Sequence, residues 1–293
     1  MKKYLATFYS PDLKRSADRF KLQAEEMGVY DYILLLNKDD LDEDFTYYVN
    51  DLLKKGKTRG YGHWVWQTYI HKYVMSIMNE DDIYHWCDVG CHFNIKGVSR
   101  LKEYIEIVSN EKKGFLGFSY KEPDFSSKLK GYTFPNNLDY QYTKTDLIKY
   151  FDLSISDPIL QTPQVWGGSF FLKKNKFSKK IMEEHFSITR NRYDLIDDDE
   201  NKFREKKHDG FIAHRHSQSV LSILAKKNNC KLLSAYESEW ALDEKKERTF
   251  NHLAFYPIIA KRDKKKNIFS RFIDRQKKNL KRRYFKIKKI LNF

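Results

Sequence analysis

The fold is decided by residues 83–90, which read Ile83-Tyr84-His85-Trp86-Cys87-Asp88-Val89-Gly90. The first five residues predict a buried β-strand, and the last three predict the turn that ends it. Residues 3–8 and 32–36 are similar short apolar runs. The second run is apolar throughout, which is typical of a strand covered on both faces.

Segments with helical spacing lie between these strands. We predict helices at 11–27, 39–55, 66–78, 97–111, 175–188 and 216–228, with further strands at 114–118 and 168–172. Strands that alternate with helices are typical of an α/β fold with a mostly parallel sheet. The sequence therefore predicts one Rossmann-type α/β domain over residues 1–262, with helices on both faces of the sheet.

The composition and the lengths of the apolar runs indicate the cellular compartment of this domain. None of its apolar runs approaches the roughly 18 residues that a transmembrane helix needs. The first apolar run is also too short for a signal peptide, so we expect a cytoplasmic protein. The three cysteines cannot all pair, and reduced thiols in a reducing compartment agree with that expectation.

The net charge of +15 is concentrated at the end of the chain. Residues 261–293 hold 15 of the 55 basic and 2 of the 40 acidic residues, so this segment carries +13 and the other 260 residues +2. Apolar residues recur at helical spacing within it, at Leu280, Tyr284, Ile287 and Leu291. We predict a basic amphipathic helix at 263–293 that binds an anionic membrane surface. A solvated tail is the main alternative, and nucleic-acid binding is less favoured because a folded basic face is missing.

Polar and aromatic residues follow two of the predicted strands. Thr7 and Tyr9 follow the first strand, and Asp88 follows the strand at 83–87. Ligands of open parallel sheets bind at the carboxyl ends of strands, where an aromatic ring can stack on a base and a carboxylate can meet a ribose hydroxyl. A carboxylate there also suits Mg²⁺ or Mn²⁺, which prefer oxygen ligands. The alternative is a turn Asp that caps nearby backbone amides.

Three further stretches have the composition of binding loops. Residues 59–67 place Arg59 beside two glycines and two tryptophans, which suits a phosphate and a sugar. Residues 164–169 place Trp166 before Gly167 and Gly168. Residues 208–219 bring three histidines, an arginine and a glutamine to a helix start, which suits an anionic ligand. Ordinary turns, core aromatics and helix caps remain the alternatives for all three.

Together these stretches resemble bacterial capsule and lipopolysaccharide glycosyltransferases of the GT-A type. Such proteins carry an RGxGxWxWK segment, a DIxxYxDxGxxxN strand end and an HRxDQSxxSLL helix start. The corresponding residues here are 59–67 (RGYGHWVWQ), 82–94 (DIYHWCDVGCHFN) and 214–224 (HRHSQSVLSIL). The resemblance covers residues 1–262 in the order of their elements and is specific at these three places.

The resemblance implies a GT-A-like fold that transfers a sugar from a UDP- or GDP-linked nucleotide sugar to a glycan or lipid-linked glycan acceptor at the inner face of the cytoplasmic membrane. The donor-binding residues that we assign are Thr7, Tyr9, Arg59, Asp88, Trp166, Gly167 and Gly168. Asp88 is also the candidate ligand for Mn²⁺ or Mg²⁺. For catalysis we assign Asp209 as the base for the acceptor hydroxyl, with His216 and Gln218 as contacts of the donor sugar.

Two positions depart from the pattern of the resembled proteins. Gly90 stands where the Asp-x-Asp metal motif has its second carboxylate, and Ser217 stands where the relatives place an aspartate. The first departure puts metal dependence in doubt, and the second removes a candidate ligand or base. A non-catalytic relative that binds sugar nucleotides is therefore the alternative to a transferase, and a nucleic-acid-binding protein is a weaker one.

Overall fold

A six-stranded sheet lies at the centre of the computed structural model, which describes residues 1–124 and 131–261. The strands, in chain order, are β1 (Lys3–Phe8), β2 (Tyr32–Leu36), β3 (Ile83–Cys87), β4 (His92–Phe93), β5 (Phe115–Ser119), β6 (Val165–Lys173), β7 (Lys231–Ser234), β8 (Ala241–Leu242), β9 (Arg248–Thr249) and β10 (Ile258–Ile259). The central sheet has the order β2-β1-β3-β6-β5-β7, while β4 pairs with β10 and β8 with β9.

Five of the six central strands point in the same direction. β1 pairs in parallel with β2 and β3, and β5 pairs in parallel with β7. β6 runs antiparallel to both of its neighbours, β3 and β5. The carboxyl ends of the other five strands therefore share one edge of the sheet with the amino end of β6.

Helices cover both faces of this sheet. They are α1 (Lys14–Glu26), α2 (Glu43–Lys54), α3 (Gly60–His63), α4 (Val65–Ile77), α5 (Val98–Asn110), α6 (Thr145–Tyr150), α7 (Lys176–Asn191) and α8 (His216–Lys227). One apolar core lies between the sheet and α2, α4, α7 and α8, and a second lies between the opposite face and α1 and α5. The strands are apolar on both faces because both faces are covered.

Local capping places several helix starts. The Asp42 side chain accepts a hydrogen bond from the Phe45 amide at 2.7 Å and begins α2. The Asn175 side chain accepts from the amides of Phe177 and Ser178 and begins α7. Each cap satisfies backbone donors that have no partner within the helix. Pro11 begins a short 3-10 turn ahead of α1, as the entry signal predicted.

The predicted fold class is confirmed: a mostly parallel α/β sheet flanked by helices. The strands predicted at 3–8, 32–36 and 83–87 have these bounds in the structure. β6 is longer than predicted, and its antiparallel direction and the presence of β7 were not predicted. The predicted basic amphipathic helix at 263–293 lies outside the described residues. Among the described residues, no helix combines the length and apolar character that crossing a membrane requires.

Candidate active site

The strand order predicts a ligand-binding crevice at one edge of the sheet. β1 lies between β2 and β3, so the chain leaves β1 toward one side and later returns to its other side. Such a reversal is a topological switch point, and open α/β sheets bind ligands in the crevice outside the carboxyl ends of the two strands concerned. Here the expected crevice lies beyond β1 and β3. Thr7 is near the end of β1, and Tyr9 and Asp88 directly follow β1 and β3.

Strand pairing brings the predicted donor residues of three strands to this edge. The register pairs Ala6 of β1 with Trp86 of β3, and Cys87 of β3 with Ser169 of β6. Beyond that register, the Asp88 amide donates a hydrogen bond to the Gly168 carbonyl at 2.8 Å. Asp88 is half-buried. The structure thus places Asp88 beside the glycine pair that the sequence assigned to the same site.

The side chain of Thr7 has an unsatisfied hydroxyl at this edge. Thr7 is fully buried, and its Oγ1 makes no hydrogen bond among the described residues. Tyr9 follows it as a half-buried residue whose amide donates to the Leu36 carbonyl at 2.9 Å. A buried hydroxyl without a partner is costly, and such groups are concentrated where a water molecule or a ligand completes the structure.

Side-chain amides hold the backbone of Gly167. Its carbonyl accepts from Gln67 Nε2 at 3.1 Å and from Trp86 Nε1 at 3.2 Å, and its amide donates to Gln218 Oε1 at 3.1 Å. The other amide atom of Gln218, Nε2, donates to Gln164 Oε1 at 2.8 Å. Gln218 therefore ties the first turn of α8 to the start of β6, and its contact with a donor sugar stays a prediction.

Trp166 lies behind the glycine pair and supports it. Its side chain is buried with 6% exposure, and a Cβ built on Gly168 would lie 2.4 Å from the indole ring. Glycine is required at position 168 because the indole occupies the space that a side chain would need. The structure places Trp166 in the core behind Gly168, so the indole would border the transferred sugar only through Gly168. The predicted role of Trp166 at the sugar stays a prediction.

The segment at 59–67 joins this edge through Trp66. The Trp66 ring stacks on Phe8 at the end of β1 with centroids 4.0 Å apart, and its Nε1 donates to the Gly60 carbonyl at 2.9 Å. The backbone between them is left-handed at Tyr61, Gly62, His63 and Trp64. Non-glycine residues adopt this conformation at a cost, and such strain clusters at functional sites.

Arg59 contacts the acidic loop at residues 197–200 (DDDE) and not the glycine pair. Its side chain is 68% exposed, its Nη1 donates to Asp198 Oδ2 at 3.2 Å, and the guanidinium lies over the Trp64 ring at 5.5 Å. Asp209 is farther along the chain, exposed on a turn where its carbonyl lies 3.0 Å from His208 Nδ1. The predicted roles of both residues stay predictions.

His216 is buried at the start of α8, next to a second histidine. The His216 and His63 rings lie 4.5 Å apart between centroids, and both face Asp198. Burial lowers the pKa of His216 to about 4, with a contribution from His63. Burial also lowers the pKa of His63, against the opposing effect of Asp198 and Asp197. Both imidazoles are therefore neutral at pH 7.

Two places differ in their ability to hold a metal ion. Asp88 supplies one carboxylate at the crevice, and Gly90 adds no second one. His63, Asp198 and His216 offer three ligand atoms that all lie within 4.8 Å of one another. The group of His63, Asp198 and His216 fits a bound metal ion better than Asp88 does. Three convergent ligands that include neutral imidazoles match the metal sites of proteins.

Several residues of this region were not predicted from the sequence. Gln67 and Trp86 were assigned to a helix and a strand without a role, and His63 and Asp198 were not singled out. Gln67 and His63 both lie within the 59–67 segment, which was the available signal for them. No comparable signal marked Asp198, since an acidic loop is usually a solvated one.

No protein-family model matches the chain, and no curated protein matches it. Solved structures that are similar to it include a glycosyltransferase involved in the glycosylation of the major capsid of PBCV-1, at 10% identity and a TM-score of 0.44, covering 91% of this chain and 95% of that one. The apo form of glycosyltransferase GlyE from Streptococcus pneumoniae TIGR4 is similar at 12% identity and a TM-score of 0.34, covering 81% of this chain and 46% of that one. The apo form of mouse xyloside xylosyltransferase 1 is similar at 10% identity and a TM-score of 0.42, covering 81% of this chain and 86% of that one. Likeness at this level does not transfer an activity, so the function has to be argued from the residues of the site.

Proposed function

We propose that this chain is a glycosyltransferase that takes its sugar from a nucleoside diphosphate donor. The observation that carries the proposal is the topological switch point between β1 and β3, beyond which Asp88 lies hydrogen-bonded to Gly168 of the glycine pair. Nucleotides bind at such switch points in open α/β sheets. The resemblance of the 59–67, 82–94 and 214–224 segments to GT-A glycosyltransferases narrows the ligand to a nucleotide sugar.

The proposed roles follow the chemistry of each side chain. Tyr9 stacks on the base, and the Asp88 carboxylate accepts from a ribose hydroxyl. Gly167 and Gly168 are proposed donor contacts through their backbone, since the Gln218 side chain and the Trp166 indole fill the space that side chains at these positions would need. Thr7 Oγ1 donates to the donor or to a water molecule beside it.

Sugar transfer forms a bond between the acceptor oxygen and the anomeric carbon and breaks the bond from that carbon to the diphosphate. The acceptor hydroxyl loses its proton to a base, for which Asp209 is the candidate. The leaving diphosphate gains negative charge, which the Arg59 guanidinium stabilises. Asp88 is the residue that would hold a Mn²⁺ or Mg²⁺ ion, which would supply positive charge to stabilise the leaving diphosphate. His216 and Gln218 remain candidates for positioning the donor sugar from α8.

The acceptor, the donor nucleotide and the cellular location are part of the same proposal. We propose a glycan or lipid-linked glycan of capsule or lipopolysaccharide synthesis as the acceptor, and a UDP- or GDP-linked sugar as the donor. The segment at 263–293, with most of the chain's positive charge, would hold the enzyme on the anionic inner face of the cytoplasmic membrane. We propose no nucleic-acid partner, because the rest of the chain is nearly neutral.

A panel of UDP- and GDP-linked sugars, screened by thermal stabilisation, tests the donor. A ligand present at about 100 times its Kd adds about 2.7 kcal/mol to the free energy of unfolding. The Asp88→Asn variant should then bind the selected sugar nucleotide at least tenfold more weakly by calorimetry, with an unchanged melting temperature in its absence.

Asp209→Asn is the matched control, since it should keep donor affinity and reduce turnover. Stabilisation by no member of the panel contradicts the proposed function. Tight binding without donor hydrolysis or transfer supports the non-catalytic alternative, to which Gly90 and Ser217 already point.

A further inference from the structure

Three side chains converge next to the crevice from segments far apart in the chain. His63 ends α3, Asp198 belongs to the acidic loop, and His216 begins α8. His63 Nε2 lies 3.7 Å from Asp198 Oδ1, and His216 Nε2 lies 3.5 Å from Asp198 Oδ2. One carboxylate is therefore flanked by two imidazole nitrogens.

The second nitrogen of each imidazole is already engaged. His216 Nδ1 lies 2.9 Å from the Ile196 carbonyl, and His63 Nδ1 lies 2.8 Å from the Tyr193 hydroxyl. Because a carbonyl can only accept, His216 carries its proton on Nδ1 and presents a lone pair on Nε2. Histidines that ligate metals are oriented in this way, with the other ring nitrogen bound to a backbone carbonyl or a polar side chain.

The lone pair of His216 Nε2 has no hydrogen-bond donor among the described residues. His216 is 4% exposed, and its Nε2 makes no hydrogen bond. The nearest group facing it, the Asp198 carboxylate, is itself an acceptor, so the two repel each other unless a cation lies between them. Arg59 neutralises Asp198 from the exposed side, but its hydrogen bond is to Asp198 Oδ2 and not to the imidazole.

The distances between these atoms suit ligands of one ion. Two ligands about 2.1 Å from a zinc ion at a tetrahedral angle lie about 3.4 Å apart. The separations of 3.5 Å from His216 Nε2 to Asp198 Oδ2 and 3.7 Å from His63 Nε2 to Asp198 Oδ1 are close to that value and too long for good hydrogen bonds. One ligand atom from each of the three residues lies within 4.8 Å of the other two. Two imidazoles with a single carboxylate favour first-row transition metals, whereas Mg²⁺ and Ca²⁺ prefer sites built from oxygen.

We propose that His63, Asp198 and His216 bind one divalent first-row transition metal ion, in the series from Mn²⁺ to Zn²⁺. Three protein ligands leave at least one coordination position open for water or for an anionic ligand. The site is distinct from Asp88, and it stands whether or not the chain transfers sugars. It is adjacent to the crevice, because the residues that follow His216 and His63 in α8 and α4 include Gln218 and Gln67, which hold Gly167.

The untagged full chain, treated with a chelator and dialysed, is titrated with Co²⁺ and Zn²⁺ separately. We expect one ion per chain by calorimetry, and visible Co²⁺ absorption bands without the intense near-ultraviolet band of a thiolate ligand. That last feature separates this site from the buried pair Cys87 and Cys91. Millimolar Mg²⁺ should not displace the bound ion.

Variants assign the ligands. Asp198→Asn and His216→Gln should each lower the affinity for Co²⁺ at least a hundredfold, and Tyr193→Phe, which frees the His63 ring, should lower it about tenfold to a hundredfold. The matched controls are Asp199→Asn in the same loop and His208→Gln, and both should keep the affinity within threefold.

Circular dichroism of the metal-free variants checks that they fold. Asp198 is partly exposed, so Asp198→Asn decides the outcome if His216→Gln does not fold. Undiminished stoichiometric binding by folded Asp198→Asn overturns the proposal. So does a thiolate band, or a loss of binding in either control variant that equals the loss in Asp198→Asn.

Discussion

The substitution Gly168→Ala tests how the indole of Trp166 shapes the crevice. The added Cβ would lie 2.4–2.6 Å from three atoms of the Trp166 ring, a distance that real side chains do not tolerate. Gly168 does not have a positive φ, so its backbone conformation is open to alanine. The expected effect therefore comes from the contact with the ring and not from backbone strain.

The magnitude follows from two opposing contributions. Replacing glycine by alanine restricts the unfolded chain and stabilises the protein by about 0.4–1 kcal/mol. Overpacking a closed core costs about 1–3 kcal/mol, and the upper part of that range applies because Trp166 is only 6% exposed. We expect a net loss of about 2 kcal/mol, with melting lowered by about 2–4 °C for each kcal/mol.

Gly167→Ala is the matched control at the neighbouring position. Its Cβ would lie 3.3 Å from Cβ and Cγ of Gln218, which is half-buried and can shift by a few tenths of an ångström. We expect its free energy of unfolding to stay within about 1 kcal/mol of the original chain. Urea unfolding monitored by tryptophan fluorescence measures both variants, and calorimetry measures donor affinity.

The affinity for the nucleotide-sugar donor should fall in Gly168→Ala, because the Gly168 carbonyl accepts a hydrogen bond from the Asp88 amide at 2.8 Å. A second substitution, Trp166→Leu, should recover part of the stability of Gly168→Ala, giving a coupling energy of about 1 kcal/mol or more. Equal stability of the two glycine variants, or purely additive effects with Trp166→Leu, would refute the steric argument.

Three further predictions concern the tail, the pH dependence and a buried ion pair. A chain ending at Arg262 should stay folded and bind its donor normally but lose sedimentation with anionic liposomes; if it pellets as well as the full chain, the tail does not bind membrane. Burial lowers the pKa of His85 to about 3, so between pH 6.5 and 3 the unfolded chain binds a proton that the folded chain excludes, and stability falls with falling pH. At pH 4.5 this amounts to about 2–3 kcal/mol. His85→Gln should therefore reduce the difference in unfolding free energy between pH 7 and 4.5 by about that amount, and an unreduced difference would contradict the assignment. Lys226 pairs with the fully buried Asp139, and Lys226→Met should lower the free energy of unfolding by about 3–5 kcal/mol. Adding Asp139→Asn should restore part of this stability in chemical denaturation. No recovery would mean that the loss is not electrostatic.

Much of the fold was accessible from local patterns. The strands at 3–8, 32–36 and 83–87 were predicted within their observed bounds, because short apolar runs between turn residues are local signals. Asp88 and Gly168, the proposed donor contacts, were also singled out by local signals, as a strand-end carboxylate and a paired glycine. The position of Asp88 at the carboxyl edge follows from the parallel sheet that the alternation of strands and helices predicted, whereas Gly168 reaches the same edge because β6 runs antiparallel, which was not predicted.

Other features depend on packing between distant segments. The antiparallel direction of β6 has no sequence signature, because periodicity is the same in both directions along a strand. β7 is only four residues long and half-buried in part, so its apolar signal is weak. His63, Asp198 and His216 meet because α4 and α8 pack on the same face of the sheet and the acidic loop closes over their first turns. Apolar periodicity and turn chemistry are local, so the sequence predicted the residues at the strand ends. The convergence of polar side chains depends on how helices pack against the sheet, so the cluster of His63, Asp198 and His216 could not be predicted from the sequence.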